Sequence, residues 1–419
     1  MIETDAIAEV TRDIALEGFS HRFGDASVVP REEPAWEKLR ALGTRLWLDT
    51  GDVKEAAGLW CADFEALTTN NTLLNREIQK GLYDDLVRDA GAAIARAAPE
   101  IDERQLVLEI AFVLNARHGL KLAETFDAHV SVELHTDLGH DVDASIAYGK
   151  RYYDICPERF YVKVPMTPAG LLAARHLGQL GVPINFTLGF SARQNYLAAL
   201  LAQPRFVNVF MGRLNAFVAD NRLGDGNNVG EKATLATQRA LLKLREAGRT
   251  RSLLIGASMR EAAQVAALAG LDVFTMPLKV ASQYEEHPPE QPSSQLCAET
   301  TVDLADGVTF ADFNAAALWD IPEAFEETVD QLLAGHVDML TPDAVRAHFA
   351  GAGFADFLPA WSNRDIETAT ADGKIPVYDR WKQRLATGAI GLDALMNLSA
   401  FQSFATDQNA LDQRIRSLL

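Results

Sequence analysis

The sequence predicts an α/β fold, a closed (β/α)8 TIM-type barrel with a helical N-terminal lead-in and a helical C-terminal extension. Short apolar runs alternate with longer amphipathic stretches from residue 45 onward, the pattern of a parallel sheet. About eight runs occur, the number that closes this type of barrel. An open doubly wound sheet is the alternative. The candidate strands are 46–48, 66–69, 130–133, 161–164, 183–187, 206–212, 252–257 and 272–276.

The elements suggest one barrel domain that spans residues 1–419. Residues 1–44 are predicted to form the lead-in, residues 45–300 the barrel core and residues 301–419 a helical C-terminal region. Within that last region the strand-helix alternation stops, and a stretch near 357–381 that contains Pro and Trp is expected to be irregular.

The composition limits the functional classes. The chain has 419 residues and a formal net charge of −19, which argues against binding to nucleic acid or to anionic membranes. An anionic substrate must therefore be held by local cations. The cysteines Cys61, Cys156 and Cys297 show neither disulfide nor zinc spacing. The first residues lack a signal-peptide pattern, and we expect a cytoplasmic protein.

Lys163 is the first candidate for chemistry. It lies between Val162 and Val164 in an apolar strand, so the valines face one side and the lysine faces the other. In a barrel the valines would pack against helices while Lys163 pointed inward. Burial disfavours the charged ammonium, and a neutral amine can attack a carbonyl to form a Schiff base. A lysine that reaches solvent or pairs with an acid is the alternative.

Polar residues at the ends of other strands strengthen this hypothesis, because barrel active sites lie at the carboxyl ends of the strands. Carboxylates there could transfer protons during imine chemistry, and arginines could bind a phosphate. Each residue taken singly could instead be a turn, a surface ion pair or a helix cap. Ser258 could also cap a helix whose backbone amides would help to bind phosphate. The residues are Asp49, Asn70, Glu133, Asn185, Thr187, Arg213, Ser258 and Arg260.

Two other segments carry weaker signals. The glycine-rich stretch 224–230 lacks the spacing of a dinucleotide fingerprint and is interpreted as a loop. Glu133, His135, Asp137 and His140 are close in sequence and could hold a metal, although polarity at a helix start explains them as well.

The ordered motifs resemble those of the transaldolase family, class I aldolases with a (β/α)8 fold. The resemblance covers residues 45–285 and about the last twenty residues. The matching segments are LDTGD (48–52), TTNNTL (68–73), VEL (132–134), VKVPMT (162–167), NFTLGFS (185–191), NVFMGR (208–213), GASMR (256–260) and FATDQ (404–408).

The resemblance implies a role for each matched residue. Lys163 would form the Schiff base with a ketose phosphate, Asp49 would move the proton of the C4 hydroxyl, and Glu133 with Thr187 would handle a catalytic water. No metal or organic cofactor is implied, since the imine is itself the electron sink. The implied substrate-binding residues are Thr68, Asn70, Asn185, Asn208 and Phe210, with Arg213, Ser258 and Arg260 for the phosphate.

Three features depart from the family pattern or refine it. Asn71 replaces a proline, and Asn208 replaces a serine that normally contacts substrate. Residues 325–395 form an extra segment that could be a lid, an oligomer contact or a packed helical elaboration. Phe210 is the aromatic residue typical of the transfer branch, where the aldolase branch has Tyr.

The first hypothesis is therefore a transaldolase that converts sedoheptulose 7-phosphate and glyceraldehyde 3-phosphate into erythrose 4-phosphate and fructose 6-phosphate in the pentose phosphate pathway. A related enzyme with a shifted sugar-phosphate substrate in specialised metabolism and a non-catalytic sugar-phosphate-binding barrel are the alternatives. We expect the protein to bind sugar phosphates and to bind neither nucleic acid nor membranes. The sequence is compatible with a homodimer.

Overall fold

The structure of the protein is a computed structural model that describes residues 5–19, 23, 24 and 26–419. Residues 1–4, 20–22 and 25 of the predicted lead-in lie outside the described residues. The division of the chain into lead-in, core and C-terminal region as one domain stays a prediction.

Eight parallel strands form a closed barrel in which each strand pairs with the next and the last pairs with the first. The predicted barrel is confirmed, and the open sheet is wrong. The strands are β1 (Arg45–Asp49), β2 (Phe64–Thr68), β3 (His129–Glu133), β4 (Phe160–Pro165), β5 (Ile184–Thr187), β6 (Phe206–Phe210), β7 (Leu253–Ala257) and β8 (Val273–Pro277).

Helices precede the barrel, follow each strand and continue beyond it to the C-terminus. Three short 3-10 helices span Thr136–Leu138, Phe310–Phe313 and Val337–Met339. The α-helices are α1 (Asp5–Leu16), α2 (Pro34–Arg40), α3 (Val53–Leu59), α4 (Asn71–Gln79), α5 (Asp84–Ala97), α6 (Glu103–Phe126), α7 (Val142–Ile155), α8 (Pro168–Gln179), α9 (Ala192–Leu201), α10 (Met211–Asp220), α11 (Val229–Glu246), α12 (Ala262–Ala267), α13 (Leu278–Glu286), α14 (Ala316–Trp319), α15 (Glu323–Ala334), α16 (Pro342–Gly351), α17 (Asn363–Asp372), α18 (Tyr378–Ala386) and α19 (Leu392–Arg416).

Two sequence predictions about these elements are wrong. Strand β6 ends at Phe210 rather than at Gly212, because the chain turns directly into α10 at Met211. The stretch 357–381 was expected to be irregular, but it contains α17 and the start of α18. Ser362 begins α17 with a reciprocal cap to Asp365, which explains how a helix follows the Pro-bearing segment. Within the described residues, no helix is long and apolar enough to cross a membrane.

Polar residues directly after strands begin several of the barrel helices. Asn70 accepts a hydrogen bond from Leu73 N at 2.9 Å at the start of α4, and Thr167 accepts one from Gly170 N at 2.8 Å at the start of α8. These side chains replace the hydrogen bonds that the first turn of a helix lacks. The chain therefore leaves each of these strands at a fixed angle.

The amino-terminal half of the barrel interior is filled by aromatic rings. Trp47, Tyr161 and Phe206 are buried, with ring centroids 5.6 Å apart for Trp47–Tyr161 and 4.7 Å apart for Trp47–Phe206. Alternation along a strand places the side chain two residues further on in the same direction. The aromatic floor, defined as these three residues, therefore lies beneath Asp49, Lys163 and Asn208.

The C-terminal region is anchored to the barrel by buried charges. Arg193 on α9 bonds both oxygens of Asp393 at 2.8 Å and also contacts Asp356 at 2.8 Å, while Ser191 donates to Asp393 at 2.7 Å. Burial alone would lower the pKa of Arg193, but the two carboxylates outweigh it and raise that pKa. These contacts fix the C-terminal region against the loop after β5.

Candidate active site

A cavity of about 370 Å³ opens at the carboxyl ends of the strands, above the aromatic floor. All of the predicted site residues except Glu133 line it, so the structure brings together residues from six strands and the segments that follow them. The predicted residues in its wall are Asp49, Thr68, Asn70, Lys163, Asn185, Thr187, Asn208, Phe210, Arg213, Ser258 and Arg260.

Lys163 lies in the wall of this cavity and is 5% exposed. The strand register places it beside Glu133 on β3 and beside Asn185 on β5. Its Nζ donates to the Thr69 carbonyl oxygen at 2.9 Å, a hydrogen bond from a neutral or charged amine alike. Val162 and Val164 are fully buried in the core that joins barrel and helices. The amine is thus held at a fixed point by a backbone acceptor.

Asp49 lies at the end of β1, is half-buried and lines the cavity. Burial raises the pKa of its carboxyl, and this effect outweighs the opposing influence of Lys163 and of the hydrogen bond from Thr68. Thr68 Oγ1 donates to Asp49 at 2.7 Å and lies 2.7 Å from Thr275 Oγ1. Asp49 is therefore oriented by a chain of hydroxyls and is easier to protonate than a solvated aspartate.

Glu133 lies behind Lys163 and is absent from the wall of the cavity. Its Oε2 accepts a hydrogen bond from Asn71 N at 3.2 Å. Burial raises the pKa of this carboxyl, Lys163 and the Asn71 amide lower it in part, and Asp49 adds to the increase. Helix α4 begins at Asn71, whose N donates to this carboxylate, so Glu133 lies beside Lys163 in the strand register but is set back from the open cavity.

Two asparagine side chains on the neighbouring strands β5 and β6 line the cavity above the aromatic floor. Asn185 donates to Ser131 Oγ at 3.1 Å and accepts from Asn208 Nδ2 at 3.4 Å. Asn208 Oδ1 in turn accepts from Gly189 N at 3.2 Å. Asn208, which replaces the serine of the family pattern, is therefore integrated into the strand ends, and its amide fixes the loop after β5.

Thr187 is fully buried at the end of β5, and its Oγ1 has no hydrogen-bond partner among the described residues. A buried hydroxyl without a partner is unfavourable unless it binds water or a ligand. Because Thr187 lines the cavity, its hydroxyl is available to whatever occupies the site.

Two arginines form the cationic end of the cavity. Arg213 is 6% exposed, and its guanidinium lies 5.5 Å from the ring of Phe404 on α19. Burial, together with the positive charge of Arg260, lowers the pKa of Arg213 to about 10. Neither arginine forms an ion pair within the described part of the chain. Two neighbouring cations without carboxylate partners form a site for an anion.

Gly212 explains how the two arginines come together. A Cβ at this position would lie 2.0 Å from the Ser258 carbonyl oxygen and 3.0 Å from Arg260 Nε. Only glycine therefore allows α10 to approach the segment after β7 this closely.

Ser258 lines the cavity, but it does not cap a helix, contrary to the prediction from the sequence. It has a left-handed φ of 64°, and α12 begins only at Ala262, where Glu261 and Gln264 form a reciprocal cap. Helix α12 has 6 residues, so the proposed phosphate site at a helix start next to Ser258 is wrong. The turn instead directs Arg260 toward the cavity, where its main-chain N donates to Gln264 Oε1 at 2.6 Å.

Sequence reasoning missed several residues of the cavity wall. Arg76 on α4 and Thr275 on β8 line it, as do Lys374 between α17 and α18 and Phe404 on α19. Arg76 follows the TTNNTL motif by one turn of helix and could have been found from that spacing. Lys374 is far from the strands in sequence, and no local pattern indicates that its segment folds back over the barrel. Phe404 begins the FATDQ segment that resembles the family, but that segment was not assigned to the cavity.

The acidic and histidine-rich segment after β3 does not converge on one point. His135 lies 3.3 Å from Asp412, Asp137 pairs with Arg104 at 2.8 Å, and the ring of His140 packs on Phe401. Across the residues that the structure describes, no group of three or more such side chains could hold a metal ion.

Comparison with known proteins gives the family. A family profile described as transaldolase/fructose-6-phosphate aldolase matches residues 46–338, more than half of the chain. The chain belongs to this family. The predicted recognition is thus confirmed, and the protein is a transaldolase-like enzyme, a transferase.

Individual relatives of the family agree with this assignment. A transaldolase of Xanthomonas euvesicatoria is 30% identical over 306 residues, which are 70% of this chain and 90% of that protein. A transaldolase of Xanthomonas campestris is 32% identical over 235 residues, 54% of this chain and 71% of the relative. A transaldolase of Agrobacterium fabrum is 29% identical over 252 residues, 57% of this chain and 74% of the relative. The family match ends before α16, so the loop that carries Lys374 lies beyond it.

Proposed function

We propose that this enzyme transfers a dihydroxyacetone unit from sedoheptulose 7-phosphate to glyceraldehyde 3-phosphate through an imine at Lys163, giving erythrose 4-phosphate and fructose 6-phosphate. The observation that carries the proposal is the setting of the Lys163 amine. It is buried in the cavity wall, close enough to Asp49 and Glu133 that its charge partly offsets the burial that raises the pKa of both carboxyls. Arg213 and Arg260, which have no ion-pair partner among the described residues, line the same cavity.

Imine formation begins with attack of the neutral Lys163 amine on the C2 carbonyl of the ketose. The new N–C bond gives a carbinolamine, which loses its hydroxyl as water when a proton is supplied. Glu133 is suited to exchange that proton because burial raises the pKa of its carboxyl. Thr187, whose hydroxyl is free to bind, holds the departing or attacking water. The result is a protonated imine at C2.

Carbon–carbon cleavage then requires a base at the C4 hydroxyl. Asp49 accepts that proton, the C3–C4 bond breaks, and its electron pair moves into the protonated imine to give an enamine. Erythrose 4-phosphate leaves as the aldehyde product. The enamine carbon attacks the aldehyde of glyceraldehyde 3-phosphate, Asp49 returns the proton to the new alkoxide, and water cleaves the imine to release fructose 6-phosphate. The hydroxyl of Thr68 donates to Asp49 and is itself hydrogen-bonded to the hydroxyl of Thr275, which keeps Asp49 aimed at this position.

The remaining polar groups hold the substrate. Asn70 uses its oxygen to cap α4, which leaves its amide protons for a hydroxyl of the dihydroxyacetone unit. Asn185 lies beside Lys163 in the sheet register, within reach of the same unit. Arg213 and Arg260 bind the terminal phosphate, with Ser258 at the same end of the cavity. No cofactor takes part in the proposed steps, because the protonated imine accepts the electron pair.

The test is covalent trapping. The protein is incubated with fructose 6-phosphate and borohydride, and the adduct is mapped by mass spectrometry of the intact chain and its peptides. We expect one reduced three-carbon adduct on Lys163. Lys163→Ala should lose both the adduct and the transfer activity, whereas Lys279→Ala, which changes an exposed lysine on α13, should retain both. An adduct at another lysine, or full turnover by Lys163→Ala, would contradict the proposal.

A second candidate is the same chemistry on a different sugar phosphate. Asn208 favours it, since this side chain lies in the cavity wall where the family pattern has a smaller serine. The distinguishing measurement is kcat/KM for a panel of aldose phosphate acceptors of different lengths. If erythrose 4-phosphate and glyceraldehyde 3-phosphate are poor while trapping at Lys163 succeeds, this candidate replaces the first. Failure to trap any ketose phosphate would favour a barrel that binds sugar phosphates without turnover.

A further inference from the structure

The loop between α17 and α18 approaches the cationic end of the cavity from the C-terminal region. Arg213 Nη1 donates to the Lys374 carbonyl oxygen at 3.2 Å, and Lys374 lines the same cavity as Arg213 and Arg260. This loop, residues 373–377, is therefore in direct contact with one of the two arginines assigned to the phosphate. It lies outside the part of the chain that the family profile matches.

The loop is fixed from several sides. Asn221, directly after α10, donates to the Pro376 carbonyl oxygen at 2.9 Å and accepts from Tyr378 N at 2.8 Å. Ser399 on α19 donates to the Gly373 carbonyl oxygen at 2.9 Å, and Val377 N donates to Asp372 at 3.0 Å. A segment with this many anchors does not need to be ordered when a substrate binds, so its contribution to binding carries little entropic cost.

The charges around the loop are arranged for an anion. Lys374 is exposed, and neither it nor Arg213 nor Arg260 has an ion-pair partner among the residues that the structure describes. The chain has 58 acidic and 39 basic residues, so its overall charge is negative. The group of unpaired cations at this end of the cavity therefore has the opposite sign to the protein as a whole. Burial and the neighbouring charge of Arg260 lower the pKa of Arg213, and the carboxylate of Asp407 offsets this only in part. A dianionic phosphate would compensate these positive charges.

We propose that Lys374 is a further substrate-binding residue whose ammonium contacts the terminal phosphate beside Arg213 and Arg260, while its backbone carbonyl holds Arg213 in place. The C-terminal loop thus completes the phosphate site and makes the enzyme selective for phosphorylated sugars. A lysine suits this position because it is a compact charge on a flexible stem that can follow phosphates of sugars of different length. The inference rests on the proposed function only for the identity of the sugar.

The test uses a ligand that has a phosphate but no carbonyl, so that it cannot form an imine. Binding of glycerol 3-phosphate to the full chain is measured by calorimetry for the wild type, Lys374→Ala and Lys374→Arg. We expect about tenfold weaker binding for the alanine variant, the effect of one charge-assisted contact, and nearly wild-type binding for arginine. Lys382→Ala is the matched control, because Lys382 is an exposed lysine on α18 that pairs with Asp379 at 3.1 Å.

Kinetics give a second readout. In Lys374→Ala, the KM for glyceraldehyde 3-phosphate should rise about tenfold with kcat unchanged, and kcat/KM for unphosphorylated glyceraldehyde should stay the same. A purely structural role would instead lower kcat for both acceptors and lower the Tm. Since alanine keeps the backbone carbonyl that Arg213 uses, the Tm should not change, and Lys374→Gln provides a second variant if the alanine protein folds poorly.

The outcomes separate this inference from the proposed function. If Lys374→Ala binds glycerol 3-phosphate as tightly as the wild type, or loses no more affinity than Lys382→Ala, then Lys374 is not a phosphate ligand. If borohydride traps no ketose at Lys163 but Lys374→Ala still weakens glycerol 3-phosphate binding, the transfer mechanism fails and the phosphate site stands.

Discussion

At the scale of single residues, the burial that raises the pKa of Asp49 suits the proposed proton transfer but is unfavourable to the folded state. Its carboxyl has a raised pKa, so the folded protein prefers the protonated form and loses stability as the pH rises through that pKa. This loss of stability is absent below pH 3.8, the ordinary pKa of an aspartate, because the carboxyl is then protonated in both the folded and the unfolded protein. Activity and stability therefore make opposite demands on this residue.

Asp49→Asn tests that conflict. We expect kcat to fall about 10²–10⁴-fold, because the base at the C4 hydroxyl is lost. We also expect a higher Tm than the wild type at pH 7, with a difference that shrinks as the pH approaches 3.8. Thermal unfolding from pH 4 to pH 8 measures this, with turnover assayed alongside. A Tm difference that does not depend on pH would show that burial of the charge is not its cause.

Gly212→Ala tests whether the arginine pair depends on close backbone approach. The new Cβ would lie 2.0 Å from the Ser258 carbonyl oxygen, so the segment after β7 must shift. We expect a loss of about 1–3 kcal/mol in the free energy of unfolding and a higher KM for phosphorylated acceptors. Gly178→Ala is the control, because its Cβ meets only the Ala202 carbonyl oxygen at 3.7 Å. Urea unfolding should show that variant unchanged or slightly more stable.

Residue-level prediction from sequence succeeded where a strand's alternation decides the direction of a side chain. Lys163, Asp49 and Asn185 reach the cavity for that reason, and any sequence of this period would place them there. Ser258 was misjudged because serine is a common helix cap, whereas here it has a left-handed φ and its carbonyl lies against Gly212, a neighbour that is distant in sequence. Glu133 was placed correctly on its strand, but the helix start that covers it could not be seen from the strand alone.

At the scale of secondary-structure elements, α9 and the C-terminal region are joined by one buried cluster of charges. Arg193 is 5% exposed and Asp393 is fully buried. Removing one partner of such a cluster leaves an uncompensated charge in the interior, which costs far more than the loss of a surface pair. The attachment of the C-terminal region to the barrel therefore depends strongly on this arginine.

Arg193→Leu should lower the free energy of unfolding by about 3–5 kcal/mol, because Asp393 and Asp356 lose their cation. Arg88→Leu is the matched substitution at an exposed pair, where Arg88 and Asp85 are 52% and 97% exposed. It should cost less than about 1 kcal/mol. Equal losses in the two variants, measured by urea unfolding, would show that the buried cluster does not anchor the region.

The elements differ in how well they can be predicted. All eight strands were found in the sequence, because each is a short apolar run between polar ends. Helices α17 and α18 were missed because Pro and Trp near residues 357–381 interrupt the apolar period. Helix α17 packs against α19, and α18 packs against the 3-10 helix Phe310–Phe313. These contacts between distant segments stabilise the two helices in addition to the cap at Ser362.

At the scale of the whole molecule, the aromatic floor closes the amino-terminal end of the barrel. Trp47 is 1% exposed and contacts both Tyr161 and Phe206. Trp47→Ala should lower the free energy of unfolding by about 3–5 kcal/mol, since it leaves a large space among groups that cannot collapse into it. Leu180→Ala, at a side chain that is 55% exposed, should be nearly neutral. If urea unfolding shows only a small decrease in the free energy of unfolding for Trp47→Ala, the aromatic floor does not stabilise the barrel.

The closed floor also determines how molecules exchange in the site. Because the aromatic floor fills the amino-terminal end, the cavity of about 370 Å³ is reached from the carboxyl ends of the strands. Under the proposed mechanism, the aldehyde product of the first half-reaction would leave and the second substrate would enter on that side, while the three-carbon unit stays bound to Lys163. Ping-pong kinetics are then expected, with parallel lines in double-reciprocal plots and competition between the two aldehydes for the same space.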